Sequence, residues 1–213
     1  MSPRIGVIGT GWWATVNHIP TVQASGLGEV VAICDLDPER LATVGDRFGV
    51  AGRYADVASL LAAEELDGVM IATPHTAHAA AAIAALQAGC HVLIEKPLAT
   101  TTQDARAIVE AAKAADRQVL VPCGWNFRDY TAQAAAWVEA GQIGEIRHVV
   151  CEMASALGDL FAGQPMQETA DALFRPPAST WADPSRAGGY GWGQMSHALA
   201  WVYRVTGLSP ATA

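Results

Sequence analysis

The chain has 213 residues, 51% hydrophobic and 16% charged, which fits one large globular domain or two small ones and excludes a disordered chain. Its formal net charge is −8 and its pI about 5.1; with no basic stripe, nucleic acid and anionic membranes are not expected partners. No apolar run approaches the ~18 residues that span a bilayer, and the run near Arg4 is cut by glycines and Thr10, unlike a signal peptide.

In chain order, strand-like and helix-like segments alternate. RIGVI (4–8), EVVAICD (29–35), GVMIAT (68–73), HVLIE (91–95) and QVLVP (118–122) are nearly continuous apolar runs rich in β-branched residues. That is the pattern of strands covered on both faces. Asp37-Pro38 starts one helix, as N-cap and first helical residue. DVASLLAAEEL starts a second near Asp56, and AHAAAAIAALQAG a third, closed by Gly89. TTQDARAIVEAAKAA is a fourth, with Thr101 and Asp104 spaced as a capping box. The alternation predicts an α/β fold, a doubly wound parallel sheet with helices on both faces.

After residue 122 the pattern changes. A helix, TAQAAAWVEAG, precedes IGEIRHVVCEMAS (143–155), which reads as one long, half-exposed strand. Residues 156 to 187 are irregular, with Pro165, Pro176, Pro177 and Pro184. QMSHALAWVYRVTG reads as a final helix ending at Gly207. The expected organisation is a doubly wound α/β domain over 1–122 and a partial α+β domain over 123–213. Cys34, Cys90, Cys123 and Cys151 form no CxxC pair. Cys34, Cys90 and Cys151 lie in or beside apolar runs, so buried free thiols in a reducing cytoplasm are expected, with no metal site.

Gly9-x-Gly11-x-x-Ala14 follows the first strand directly and opens a helix. Its glycines permit a tight turn and a close backbone approach to a pyrophosphate, with the helix N-terminus facing the anion. Asp35 ends the second strand, where a carboxylate accepts from ribose hydroxyls. This favours NAD, since a 2′-phosphate would meet the negative charge; Arg40 nearby leaves NADP open. Trp12 and Trp13 either lie along the cofactor or pack against the protein. Glu95, Lys96 and Pro97 stand at the carboxyl end of a strand, the edge where such sheets bind ligands. Lys96 can bind or deprotonate a substrate hydroxyl with Glu95 holding it; the other reading is a surface ion pair before a turn. Pro97 is a candidate cis peptide.

ATPHTAHAAAAIAALQAGCHVLIEKPLA resembles the signature of the glucose–fructose oxidoreductase / inositol dehydrogenase (Gfo/Idh/MocA) family. GVIGTGWWA…HIP, AICDLDPER and GQIGEIRHV are similar to other blocks of that family. The resemblance implies NAD(P)-dependent hydride transfer at a carbinol carbon of a sugar or polyol-like molecule. It implies that Gly9, Thr10, Gly11, Trp12 and Trp13 lie along the cofactor, that Asp35 meets the ribose, and that Thr73, Pro74, His78 and Glu95 also touch the cofactor. Lys96 becomes the catalytic lysine, close to both nicotinamide and substrate. His78 read alone is a capping or packed histidine. Asn126 and Arg128 in GWNFRDY match polar positions that meet cofactor or substrate; Arg128 read alone is a surface charge.

In the family, a glycine-rich turn precedes a helix carrying an Asp and, four residues later, a His. GGYGWGQMSH supplies His197 as the His, but Gly193 stands where the Asp belongs, and Ala200 where a further acid would stand. Either Lys96 and His197 suffice as proton-handling groups, with Tyr190, Trp192 and Gln194 facing the substrate, or the protein binds a nucleotide without turnover. Packing against the last helix is the alternative for Tyr190 and Trp192, and a backbone-satisfied helix start for His197. An S-adenosylmethionine-dependent methyltransferase shares the glycine loop and acidic strand end, but not the EKP block. Family members continue with an open mixed sheet, so the exposed strand edge here predicts pairing in a homo-oligomer, completion by further chain, or a small domain.

Overall fold

The computed structural model describes residues 2–161, 172–175, 181–186 and 189–209. Pro165, Pro176, Pro177 and Gly188 of the predicted irregular stretch and late loop lie outside them.

Six strands form one parallel sheet: β1 (Arg4–Ile8), β2 (Glu29–Cys34), β3 (Gly52–Tyr54), β4 (Gly68–Ile71), β5 (His91–Ile94) and β6 (Val119–Leu120). Their spatial order is β3-β2-β1-β4-β5-β6. The order reverses at β1, which pairs with both β2 and β4. That reversal opens a crevice at the carboxyl ends of the strands.

The helices are α1 (Ile19–Ser25), α2 (Pro38–Phe48), α3 (Val57–Ala63), α4 (His78–Gln87), α5 (Thr102–Ala115) and α6 (Asp129–Glu139). They are followed by a single turn, α7 (Gly158–Phe161), and by α8 (Ser196–Thr206). Two buried clusters lie on the two faces of the sheet. Ile8, Cys34, Ile71, Leu86, Ile94 and Ile108 join one, with α4 and α5. Val7, Ile19, Ile33, Leu41 and Val44 join the other, with α1 and α2. Neighbouring residues such as Val7 and Ile8 thus serve opposite layers, which is why the strands carry no polar alternation.

The predicted caps hold. Asp37 accepts from the amides of Glu39 and Arg40, and Thr101 Oγ1 accepts from the amide of Asp104 at 3.0 Å. Asp37→Ala is expected to cost about 1 kcal/mol, read as a lower urea midpoint at unchanged slope.

Three features differ from the sequence reading. Strand β3 was not expected; it is short, lies at the sheet edge and carries Arg53, and so lacks an apolar run. Residues 144–157 form no strand. Apolar alternation makes a strand only where a partner supplies the ladder, and among the described residues none lies beside this segment. Among the described residues after 122 the regular elements are therefore helical, with no strand: α6 packs on α8, and Trp201 Nε1 donates to the buried Thr131 Oγ1 at 3.0 Å. Cys151, expected to be buried in that strand, is exposed for the same reason.

Candidate active site

Ile8 pairs with Cys34 and with Ile71, and Ile71 pairs with Ile94. The next residue of each strand therefore falls in one row along the crevice: Gly9, Asp35, Ala72 and Glu95. Main-chain bonds fix the row, from Gly9 N to Cys34 O, Ala72 N to Ile8 O and Glu95 N to Ile71 O, all 2.8–2.9 Å.

Gly9 has φ +87°, and a Cβ there would lie 2.7 Å from the Ala72 carbonyl oxygen. A Cβ on Gly11 would meet nothing within 4 Å. The turn is closed on the protein side and open on the crevice side. Asp35 Oδ2 accepts from the Thr10 amide at 2.8 Å and the Thr10 hydroxyl at 3.0 Å. Arg40 Nη1 lies 3.3 Å from the same oxygen, and its guanidinium sits over the Phe174 ring. A carboxylate and an arginine thus share the end of β2.

Two π-helical turns were not foreseen, at Ala14–His18 and Gly191–Met195. In the first, Ile19 N–H reaches back to Ala14 O, and Pro20 has no amide hydrogen for a regular ladder. Such single wide turns recur at functional sites. The first carries His18, whose Nε2 lies 3.0 Å from Glu95 Oε1, in ion-pair range but out of hydrogen-bond alignment. Trp13 Nε1 donates to the same oxygen at 2.7 Å, and Trp12 meets Trp13 edge-on at 5.2 Å. Trp13 packs and still lines the crevice, 39% exposed. Burial pushes the Glu95 carboxyl up, but His18, Trp13 and Lys96 outweigh it and hold it below the usual glutamate value.

The Lys96–Pro97 peptide is cis. Lys96 is no surface group. Its Nζ donates to the carbonyl of Gly193 at 2.7 Å and stands 5.6 Å from the centre of the Trp181 ring. Burial lowers its pKa against the pull of the Glu95 carboxylate. Of the Lys96 groups, Glu95 accepts from the amide alone, at 3.2 Å; the ammonium is held by the late glycine loop instead. Thr73 Oγ1 is buried without a partner. His78 is fully buried, with Nδ1 2.8 Å from Pro97 O and Nε2 3.0 Å from Thr73 O. Burial keeps this imidazole below the ordinary histidine value, and a neutral ring donates to one of the two carbonyls. His78 thus braces the segments that carry Thr73, Pro74 and Lys96.

His197 begins α8, its ring tilted over Trp125 at 5.4 Å. Its Nδ1 is buried and unpaired. Burial, and then the Lys96 charge, lower its pKa, so the ring is neutral at pH 7 and electrostatically coupled to Lys96. Asn126 Oδ1 is likewise buried and unpaired. Arg128 is exposed at the start of α6. Tyr190 donates its hydroxyl to Met153 O at 2.8 Å, Gln194 Oε1 accepts from Ser155 at 3.4 Å, and Trp192 is 40% exposed.

Sequence reading missed three neighbours of this site: His18, Trp181 and Cys123. Burial, and then Glu95, push the Cys123 thiol up. A wide turn brings in His18 and a tertiary contact Trp181, while Cys123 follows β6 in the chain. Among the described residues, no His/Cys/Asp/Glu group could hold a metal, and no helix is long and apolar enough to cross a membrane.

A family model described as an oxidoreductase family with an NAD-binding Rossmann fold matches residues 3–122. D-apiose dehydrogenase of Paraburkholderia graminis is 35% identical over 159 residues, 75% of this chain and 42% of its own length. D-xylose 1-dehydrogenase (NADP(+)) 2 of Haloferax volcanii is 32% identical over 154 residues, 72% of this chain and 47% of its own. The crystal structure of the WlbA dehydrogenase from Bordetella pertussis with NADH and UDP-GlcNAcA is 33% identical and superposes with TM-score 0.63, covering 68% of this chain and 44% of that one. The aligned residues thus span less than half the length of these relatives. With its sheet order, glycine turn and Glu-Lys-Pro strand end, the chain belongs to the Gfo/Idh/MocA oxidoreductase family, through its NAD-binding Rossmann domain.

Proposed function

We propose that the chain is an NAD(P)-dependent oxidoreductase acting on the carbinol carbon of a sugar or polyol-like substrate, with residues 1–122 holding the cofactor and 123–213 contributing to the substrate side. The observation that carries this reading is the placement of Lys96, buried at the carboxyl end of β5, on the same strand-end crevice that the open glycine turn enters from β1. The donor set fits a dinucleotide. Gly11 leaves space for a pyrophosphate at the turn, Asp35 stands at the ribose position, and the unpaired Thr73 Oγ1 is a buried polar atom waiting for a partner. A bound nicotinamide supplies hydride exchange with the carbinol carbon.

The chain's own residues do the rest. Lys96 takes the hydroxyl proton on oxidation and returns it on reduction, while the neutral His197 relays or hydrogen-bonds. Asp35 selects a ribose hydroxyl; Arg40 beside it accommodates a 2′-phosphate when it swings from the carboxylate. Asn126, with its unpaired Oδ1, is placed as a polar contact for cofactor or substrate.

Lys96 accepts a proton only when neutral. Oxidation rate should therefore rise with pH, along a limb centred below the ordinary lysine value of 10.5. Measuring kcat/KM against pH on a panel of sugars, sugar acids and inositols tests this. A limb that survives Lys96→Ala would rule Lys96 out as its source. One observation favours a second reading, a nucleotide-binding module without turnover: position 193 offers no carboxylate. Tight NADH binding with no turnover across the panel would support it.

A further inference from the structure

Trp181 stands outside every motif in the sequence, yet three contacts converge on it. A Cβ on the buried Gly193 would lie 2.6 Å from its ring carbon Cζ3. Its ring face is 5.6 Å from Lys96 Nζ. The His75 ring meets it edge-on at 6.1 Å. Its carbonyl also accepts from Gly189 N at 2.7 Å, which ties it to the start of the late glycine turn.

Glycine at 193 is thus required by close approach. Any larger residue would push the indole away or displace the backbone. That same backbone supplies the carbonyl that accepts from Lys96. Ring and carbonyl form one unit around the ammonium, the carbonyl as acceptor and the indole as a negative quadrupole face.

We propose that Trp181 is a positioning residue for Lys96, acting with Gly193 as a neutral clamp that holds the ammonium in the crevice without a carboxylate at position 193. The proposal rests on the reading of Lys96 as the proton-handling group, but its test does not need turnover. The reactivity of Lys96 toward a small acylating reagent, followed against pH by mass spectrometry, reports when the amine becomes neutral.

The face of an aromatic ring favours the charged lysine. Trp181→Met keeps an apolar neighbour but removes the ring, so the labelling midpoint should fall by about 0.5–1 pH unit. Trp181→Phe keeps a π face and should restore most of the shift. Gly193→Ala displaces the ring from the other side and should move the midpoint in the same direction, which keeps the test alive if Trp181→Met does not fold. Combining Gly193→Ala with Trp181→Met should add little, because both break one unit. NADH titration of each variant checks that the Rossmann domain is intact.

A midpoint unmoved by both Trp181→Met and Gly193→Ala in folded protein would overturn the clamp, as would equal shifts in the Phe and Met variants or full additivity in the double variant. A wild type without turnover that still shows the labelling pattern would sink the oxidoreductase reading and leave the clamp standing.

Discussion

Lys96→Ala should lower kcat on an accepted alcohol by about 10²–10⁴-fold while leaving NADH affinity nearly intact. The lysine's polar contacts explain the split. Its Nζ is committed to Gly193 O and the Trp181 face, whereas the turn that fits a pyrophosphate is built by Gly9, Thr10 and Gly11 on another strand. On the proposed mechanism, removing the amine deletes the proton acceptor and leaves the glycine turn untouched. Stopped-flow single turnovers separate chemistry from product release, and fluorescence titration gives the affinity. Unchanged turnover would remove Lys96 from the reaction; a collapse of NADH binding would make it a structural part of the cofactor site.

Gly9→Val is expected to be the most damaging change in the cofactor half. A side chain at φ +87° costs about 1–3 kcal/mol in backbone strain, and its Cβ would also overlap the Ala72 carbonyl at 2.7 Å. Relief requires β1 to part from β4 at the crevice. Tm should fall by roughly 4–10 °C, and NADH binding should weaken about tenfold or more. Gly11→Ala is the control. Its Cβ meets nothing in the protein, so Tm should hold, and any loss of NADH affinity reports a direct clash with the dinucleotide. Equal Tm losses in both variants would contradict the asymmetry of the turn.

The parts of the fold that could be read from the sequence are those whose residues are constrained on two sides. Strands β1, β2, β4 and β5 are buried on both faces, so their runs are apolar without interruption. Asp37 and Thr101 announce helix starts because capping is a local bond. Residues 143–155 misled for the opposite reason. Val149 and Val150 look like strand residues, but they are exposed, and pairing depends on a neighbour the sequence cannot supply locally. At the site, Gly9, Asp35, Glu95 and Lys96 were legible because strand ends fix them. His18 and Trp181 were not. His18 reaches Glu95 from 77 positions away, through a wide turn whose only sequence trace is Pro20, and Trp181 enters from an irregular stretch with no period at all.

The shared row of Gly9, Asp35, Ala72 and Glu95 has a consequence for how this chain tolerates changes in length. Each member is set by counting from the strand before it. One residue inserted inside β5 would reverse the facing of everything that follows, bringing Glu95 to the place of Lys96 and carrying Lys96 one position past its Gly193 contact. The opposite edge of the sheet keeps no such count. The connections at 26–28, 64–67 and 88–90 enter β2, β4 and β5 from that side. Insertions should be absorbed there, so among chains of this fold length is free to drift at one rim and is held fixed at the other.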